Sequence, residues 1–98
     1  MATVGFGDFE WDDEKAHSNL EKHGVSFEEA SSVFLDPDFL VINDPTSPDR
    51  FIALGFSRLA RLLFVVHLER GEKVRIISAR KATRSERKTY EQRQNGPD

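Results

Sequence analysis

RLLFVVHLERGEKVRIISARKA, residues 61–82, reads as two β-strands joined by a tight turn. Leu, Phe and Val dominate residues 61–68, and Val and Ile dominate residues 74–79, the side chains that fit a pleated surface. Glu69-Arg70-Gly71-Glu72 between them is short enough for a hairpin, with Gly71 free to take positive φ. Along the first strand Arg61, Leu63, Val65, His67 and Glu69 point one way, and Leu62, Phe64, Val66 and Leu68 the other. Both faces are largely apolar, which predicts a central strand. A loop of two or four residues places Val74, Ile76, Ser78 and Arg80 on the face of Arg61 and His67, and a two-residue loop at Arg70-Gly71 sets Arg61 opposite Arg80. Like charges facing each other across a strand pair are destabilising unless an anion lies between them, and a phosphate fits two guanidinium groups. The plainer alternative is that each arginine is solvated or paired with Asp or Glu. A three-residue loop would put the two on opposite faces.

Outward from the hairpin, residues 50–57 alternate Ile52, Leu54 and Phe56 against Phe51, Ala53 and Gly55, a strand that pairs with the first through the turn around Arg58-Leu59-Ala60. Residues 44–49, Asp-Pro-Thr-Ser-Pro-Asp, are a loop, and Phe39 to Asn43 before them a short strand. Further back, Asp12 is an N-cap with Asp13 and Glu14 in the first turn, for a helix that runs through His23 and stops at Gly24. Its inner stripe is Ala16, Leu20 and His23 or Asn19. Ser26 and Glu29 have the spacing of a capping box, with Val25 and Ala30 as a hydrophobic staple, and Phe27, Ala30, Val33 and Phe34 give the second helix its buried face. Asp36-Pro37 ends it. Phe6 to Trp11 allows a short edge strand, and residues 1–5 are expected to be flexible. After the hairpin, Thr83 and Glu86 form a second capping box for a helix to about Arg93; Gly96-Pro97 terminates it, and residues 94–98 are expected to be flexible. Strands joined by short turns must be antiparallel. The expected class is α+β: an antiparallel meander of three or four strands plus the N-terminal edge strand, two helices before it and one after.

The 98 residues suit one domain. At 38% hydrophobic and 32% charged, the composition is that of a globular protein rather than a disordered one. No apolar run approaches the roughly 20 residues that cross a bilayer, and there is no basic-then-hydrophobic leader. The expected compartment is the cytoplasm, with no membrane partner. With no cysteine, disulfides, thiolate catalysis and cysteine metal sites are excluded. His17, His23 and His67 are the only histidines, and the spacing of the first two does not place them on one helical face, so neither metal nor other cofactor is expected. The net charge of −3 hides a split: residues 1–49 hold twelve acids and two bases, residues 50–98 five acids and twelve bases. A nucleic acid would meet the basic half, and the acidic half could face a basic protein partner.

Trp11-Asp12-x-x-Lys15-Ala16-x-x-Asn19-Leu20-x-Lys22-His23-Gly24-Val25-Ser26-Phe27, Arg61-Leu62-Leu63, His67-x-Glu69-Arg70, Arg75-Ile76-Ile77-Ser78-Ala79-Arg80-Lys81-Ala82 and Glu86-Arg87-x-x-Tyr90 together resemble the BrnT family. These are ribonuclease toxins of bacterial type II toxin–antitoxin pairs. The resemblance spans about Phe9 to Glu91 and implies a RelE-like fold, metal-independent RNA cleavage, and a BrnA-like antitoxin through which alone operator DNA is met. In the middle loop the chain departs from it: Thr46-Ser47-Pro48-Asp49 stands where the family often has a histidine followed by a serine.

Metal-free RNA cleavage uses the ribose 2′-OH as nucleophile, so its proton must be removed, the phosphorane stabilised and the leaving 5′-oxygen protonated. The expected catalytic set is Arg61 and Arg80 for charge, His67 as general base or acid, and Glu69 to orient it or share that work. Lys15, Lys22, His23, Arg84 and Arg87 are the candidate RNA-binding residues. The contrasting function is a non-catalytic protein- or nucleic-acid-binding module on the same scaffold, and a third is a scaffold kept for antitoxin binding. Convergence of Arg61, His67 and Arg80 in an open site favours the enzyme; pairing of each with its own carboxylate favours the module.

Overall fold

The computed structural model describes residues 2–95. An N-terminal hairpin of β1 (Thr3–Phe6) and β2 (Phe9–Asp12) leads into α1 (Asp13–His23), α2 (Phe27–Ser31) and a 3-10 turn (Ser32–Leu35). Four strands follow, β3 (Leu40–Asn43), β4 (Phe51–Phe56), β5 (Leu62–Arg70) and β6 (Lys73–Lys81), and α3 (Arg84–Asn95) comes last. The strands form one sheet in the order β1-β2-β6-β5-β4-β3. The α+β class and the antiparallel run from β3 to β6 match the sequence reading, and β5 is indeed central.

Three features differ. Residues 3–12 make two strands rather than one, because Gly7, at φ 61°, turns the chain back on itself. β2 is not an edge strand: it pairs with β6, and in parallel, Phe9 beside Val74 and Glu10 beside Arg75. The sheet is therefore mixed and has six strands. The expected flexibility of residues 1–5 gives way to strand pairing from Thr3 onward. At the other end α3 reaches Asn95, and the expected stop at Gly96-Pro97 lies outside the described residues.

The local signals explain the helices. The Asp12 side chain accepts from Lys15 N at 3.0 Å, and Gly24 closes α1 in the left-handed conformation at φ 70°. Ser26 Oγ accepts from Glu29 N at 3.0 Å, but the Glu29 carboxylate does not return to the cap. At α3 both halves of the capping box form: Glu86 N donates to Thr83 Oγ1, and Thr83 N to Glu86 Oε1.

Two cores lie on opposite faces of the sheet. Under α1 and α2 the larger one joins Trp11, Val25, Phe27, Ala30 and Val33 to Ala53, Leu63, Val65, Ile76 and Ala79. Under α3 the smaller one joins Leu54, Leu62 and Tyr90, with Leu40, Phe56, Phe64 and Ala82 packed around them. Leu20, expected inside, is 49% exposed. α1 lies along the margin of the sheet, and Asn19 takes the inner position. Its Oδ1 accepts from Ala79 N at 3.1 Å and its Nδ2 donates to Ala79 O at 2.8 Å and to Val25 O at 3.0 Å. The amide thus completes the edge of β6 beyond the end of β2, where backbone groups would otherwise lack partners.

Candidate functional site

The register of β5 and β6 decides which charged residues meet. The loop is Gly71-Glu72, with Arg70 paired to Lys73, not Arg70-Gly71. From there His67 faces Ile76 and Glu69 faces Val74, the face assignment expected for those four. Between Val66 and His67 the register then shifts, leaving Ile77 as an extra residue, and beyond it Val65 faces Ala79 and Phe64 faces Arg80. A one-residue bulge reverses the facing of every later side chain. Ser78 and Arg80 therefore sit on the α3 face, not with Arg61 and His67. The expected opposition of Arg61 and Arg80 does not occur.

Each arginine has its own carboxylate. Arg61 Nε donates to Glu29 Oε2 at 2.8 Å, and Arg61 Nη2 also reaches Glu29 Oε1. A further bond runs from Nη2 to the Gly24 carbonyl at 3.0 Å. Ser57 Oγ adds a 2.7 Å bond to Glu29 Oε2. The Arg61 hydrogen bonds hold the Glu29 carboxyl below its ordinary range despite burial. This network ties the end of α1 to the start of α2 and the β4–β5 turn, where Ala60 takes φ 62°.

His67 is 5% exposed. It packs edge-on to Phe34, with ring centroids 5.0 Å apart, and at 6.1 Å from Phe51. Burial pushes its pKa below the ordinary imidazole value, against the bond to Val65 O and the Glu69 charge. This ring is sealed in the helix-side layer rather than open to a substrate. Glu69 is exposed, but it lies five residues along β5 from the partner of Arg80, about 17 Å at the usual rise. The four expected catalytic residues are thus not brought together.

Arg80 sits on the other face, its guanidinium carbon 3.8 Å from the Phe64 ring centroid. Nη1 donates to Glu86 Oε1 at 2.8 Å and Nη2 to Glu86 Oε2 at 2.9 Å. The pair remains open to solvent, with side chains 35% and 24% exposed. Arg84 and Arg87 are exposed on α3, Arg87 5.8 Å from the Phe56 ring.

The expected RNA-binding residues of α1 do converge. Lys15, Lys22 and His23 line an open pocket of about 190 Å³ together with Ser18, Asn19, Ile77 and Ser78. None of the seven is acidic. Ser78 is two residues before Arg80 on the same strand face, about 7 Å away along it. The bulge residue Ile77 and Asn19, whose amide holds Ala79, both line this pocket. Ser18 and Phe64, which carry no charge, are not singled out in the sequence; Ser78 is expected there on the face of Arg61 and His67, and Glu86 as a cap and part of the family motif rather than as the partner of Arg80. Among the described residues, no three His, Asp or Glu side chains gather as a metal-ligand set, and no helix is long and apolar enough to cross a membrane.

Residues 11–86 match the model of a family described as the ribonuclease toxin BrnT of type II toxin–antitoxin systems. Among solved structures the chain is similar to the crystal structure of the ribonuclease toxin BrnT of Brucella abortus, at 27% identity and a TM-score of 0.61. That match covers 76% of this chain and 94% of the other. No curated protein matches in sequence.

Proposed function

Because the chain belongs to the BrnT family of ribonuclease toxins from type II toxin–antitoxin systems, we propose that it cuts RNA by metal-independent transesterification on the surface shared by α1 and β6. Family membership implies an RNA substrate and an antitoxin partner; the finer reading is a BrnA-like antitoxin that covers the basic surface and is itself the link to operator DNA. The observation that carries the site is the gathering of Lys15, Lys22 and His23, with no acid among them, beside the strand face that presents Arg80.

In the reaction the 2′-OH loses its proton, its oxygen bonds to phosphorus, and the bond from phosphorus to the 5′-oxygen breaks. The products are a 2′,3′-cyclic phosphate and a 5′-hydroxyl. The Arg80 fork holds the non-bridging oxygens as negative charge grows on them. Lys15 and Lys22 hold flanking phosphates, and Arg84 and Arg87 follow the backbone across α3. His23, exposed at the pocket, moves the proton from the 2′-oxygen to the leaving 5′-oxygen. Arg61 and His67 act in this reading through the frame that holds α1 and β5, and Glu69 lies outside the site.

The second reading, a binding module without chemistry, draws on one observation: both arginines are engaged by their own carboxylates and His67 is buried. Incubation of a mixed-sequence single-stranded RNA with the protein in excess EDTA, with mapping of product ends, separates the two. Cyclic-phosphate ends that disappear in His23→Ala and Lys22→Ala support the proposal. RNA bound but uncut supports the module.

A further inference from the structure

The fork of Arg80 that the proposed reaction needs is filled. Glu86 takes both Nη groups at 2.8 and 2.9 Å, in the bidentate geometry that a phosphate would use. The guanidinium plane lies on Phe64 and Nη1 also donates to Lys81 O at 3.2 Å, so Arg80 is fixed from two further sides without Glu86. The carboxylate is not needed to aim it.

Apart from Arg80, the Glu86 carboxylate has one partner, its own helix cap. It sits in the first turn of α3, three residues after the cap, and its Oε1 also accepts from Thr83 N at 2.9 Å. The pair is solvent-accessible, and α3 is anchored elsewhere: Tyr90 OH donates to Asp36 Oδ2 at 2.7 Å and Gln94 Nε2 to Asp38 O at 3.2 Å. Tyr90 also packs edge-on to Phe56, at 5.4 Å. The Glu86 side chain can therefore turn away from Arg80 while α3 stays docked.

We propose that Glu86 is a built-in stand-in for phosphate that occupies the Arg80 fork in the free protein and must be displaced by incoming RNA. The inference rests on the RNA reading of this surface given above. A single carboxylate loses to an RNA strand because the strand brings several phosphates at once, which Lys15, Lys22, Arg84 and Arg87 engage together. An isolated phosphate or a free mononucleotide lacks that advantage and leaves the pair closed. Glu86 thereby favours polymer over monomer and sets the affinity that a strand must exceed.

Glu86→Gln is the decisive variant, because glutamine keeps the capping acceptor for Thr83 N yet cannot fill both prongs of the fork. The probe is a fluorescent single-stranded RNA with 2′-O-methyl riboses, which binds without being cut, titrated at constant salt. The expected result is binding about fivefold tighter in Glu86→Gln, a smaller change in Glu91→Gln, which removes the same charge from an exposed position of α3, and no gain from Glu86→Gln when Arg80 is already alanine. Equal or weaker binding by a folded Glu86→Gln, with Arg80→Ala still impaired, overturns the inference alone and makes Glu86 an orienting group. Unimpaired binding by Arg80→Ala overturns the site and the inference with it. The two failures are thus told apart by the Arg80 variant.

Discussion

Two arginine–glutamate pairs stand on opposite faces of one sheet and do different work. On the helix-packed face Glu29 is almost sealed, its side chain 3% exposed, and shares its oxygens between Arg61 and Ser57 while Arg61 also holds the end of α1. On the α3 face Glu86 meets Arg80 half-buried, its own side chain 24% exposed, against a small apolar cluster. The same two residue types make a structural joint where the carboxylate is desolvated and tied to three elements, and an exchangeable contact where water and a ligand can reach it. Exposure and the number of other partners decide which, not the ion pair itself.

The largest expected effect on stability is at the joint. Glu29→Ala removes the acceptor for Arg61 and Ser57 and should cost about 3 kcal/mol, the low end for a broken buried pair because Arg61 can still reach water. Asn19→Ala should come next, at about 2 kcal/mol, since it leaves the Ala79 and Val25 backbone groups unpartnered. Glu86→Ala should cost only about 1 kcal/mol, for half a capping box and an exposed pair. Denaturant midpoints of the three variants check the order; equal losses from Glu29→Ala and Glu86→Ala would erase the distinction between the faces.

The pH dependence sharpens it further. Arg61 lowers the folded-state pKa of Glu29 and Arg80 lowers that of Glu86, so each contributes stability that is present above its unfolded pKa and lost as pH falls through the folded one. His67 is also depressed, by burial; the unfolded chain then binds its proton first, and stability should fall as pH drops below the ordinary imidazole value of 6.5. His67→Leu should flatten the stability profile just below that value while leaving the acid limb from the two glutamates. Midpoints measured across mildly acidic pH check this, and an unchanged slope in His67→Leu would mean that the ring is not held neutral.

Much of the frame is legible in residues 12–31 and 61–90, because caps and alternation act over a few positions. Asp12, Gly24, Ser26 and Thr83 mark their helix ends as the structure has them. What was not legible acts at longer range. Nothing in Ile76-Ile77-Ser78 announces a bulge, yet that one residue moves Arg80 to the other face. The pairing of β2 with β6 joins residues sixty-five positions apart, and the amide of Asn19, a candidate for the inner stripe, reaches Ala79 sixty positions on. Gly7 reads as part of one short edge strand when it is the turn of a hairpin. The candidate site was half visible: Lys15, Lys22 and His23 read as cations of the first helix, whereas Ile77 and Ser78, which close their pocket, come from β6 across the bulge.

The two arginines separate the two faces most directly. Cleavage of single-stranded RNA in EDTA, normalised to folded protein, should be compared for the wild type, Arg80→Ala and Arg61→Lys. Loss of about a hundredfold in Arg80→Ala, with near wild-type cleavage in Arg61→Lys, is the result predicted. Cleavage that survives in Arg80→Ala and is lost in a folded Arg61→Lys would place the chemistry on the helix-packed face and contradict it.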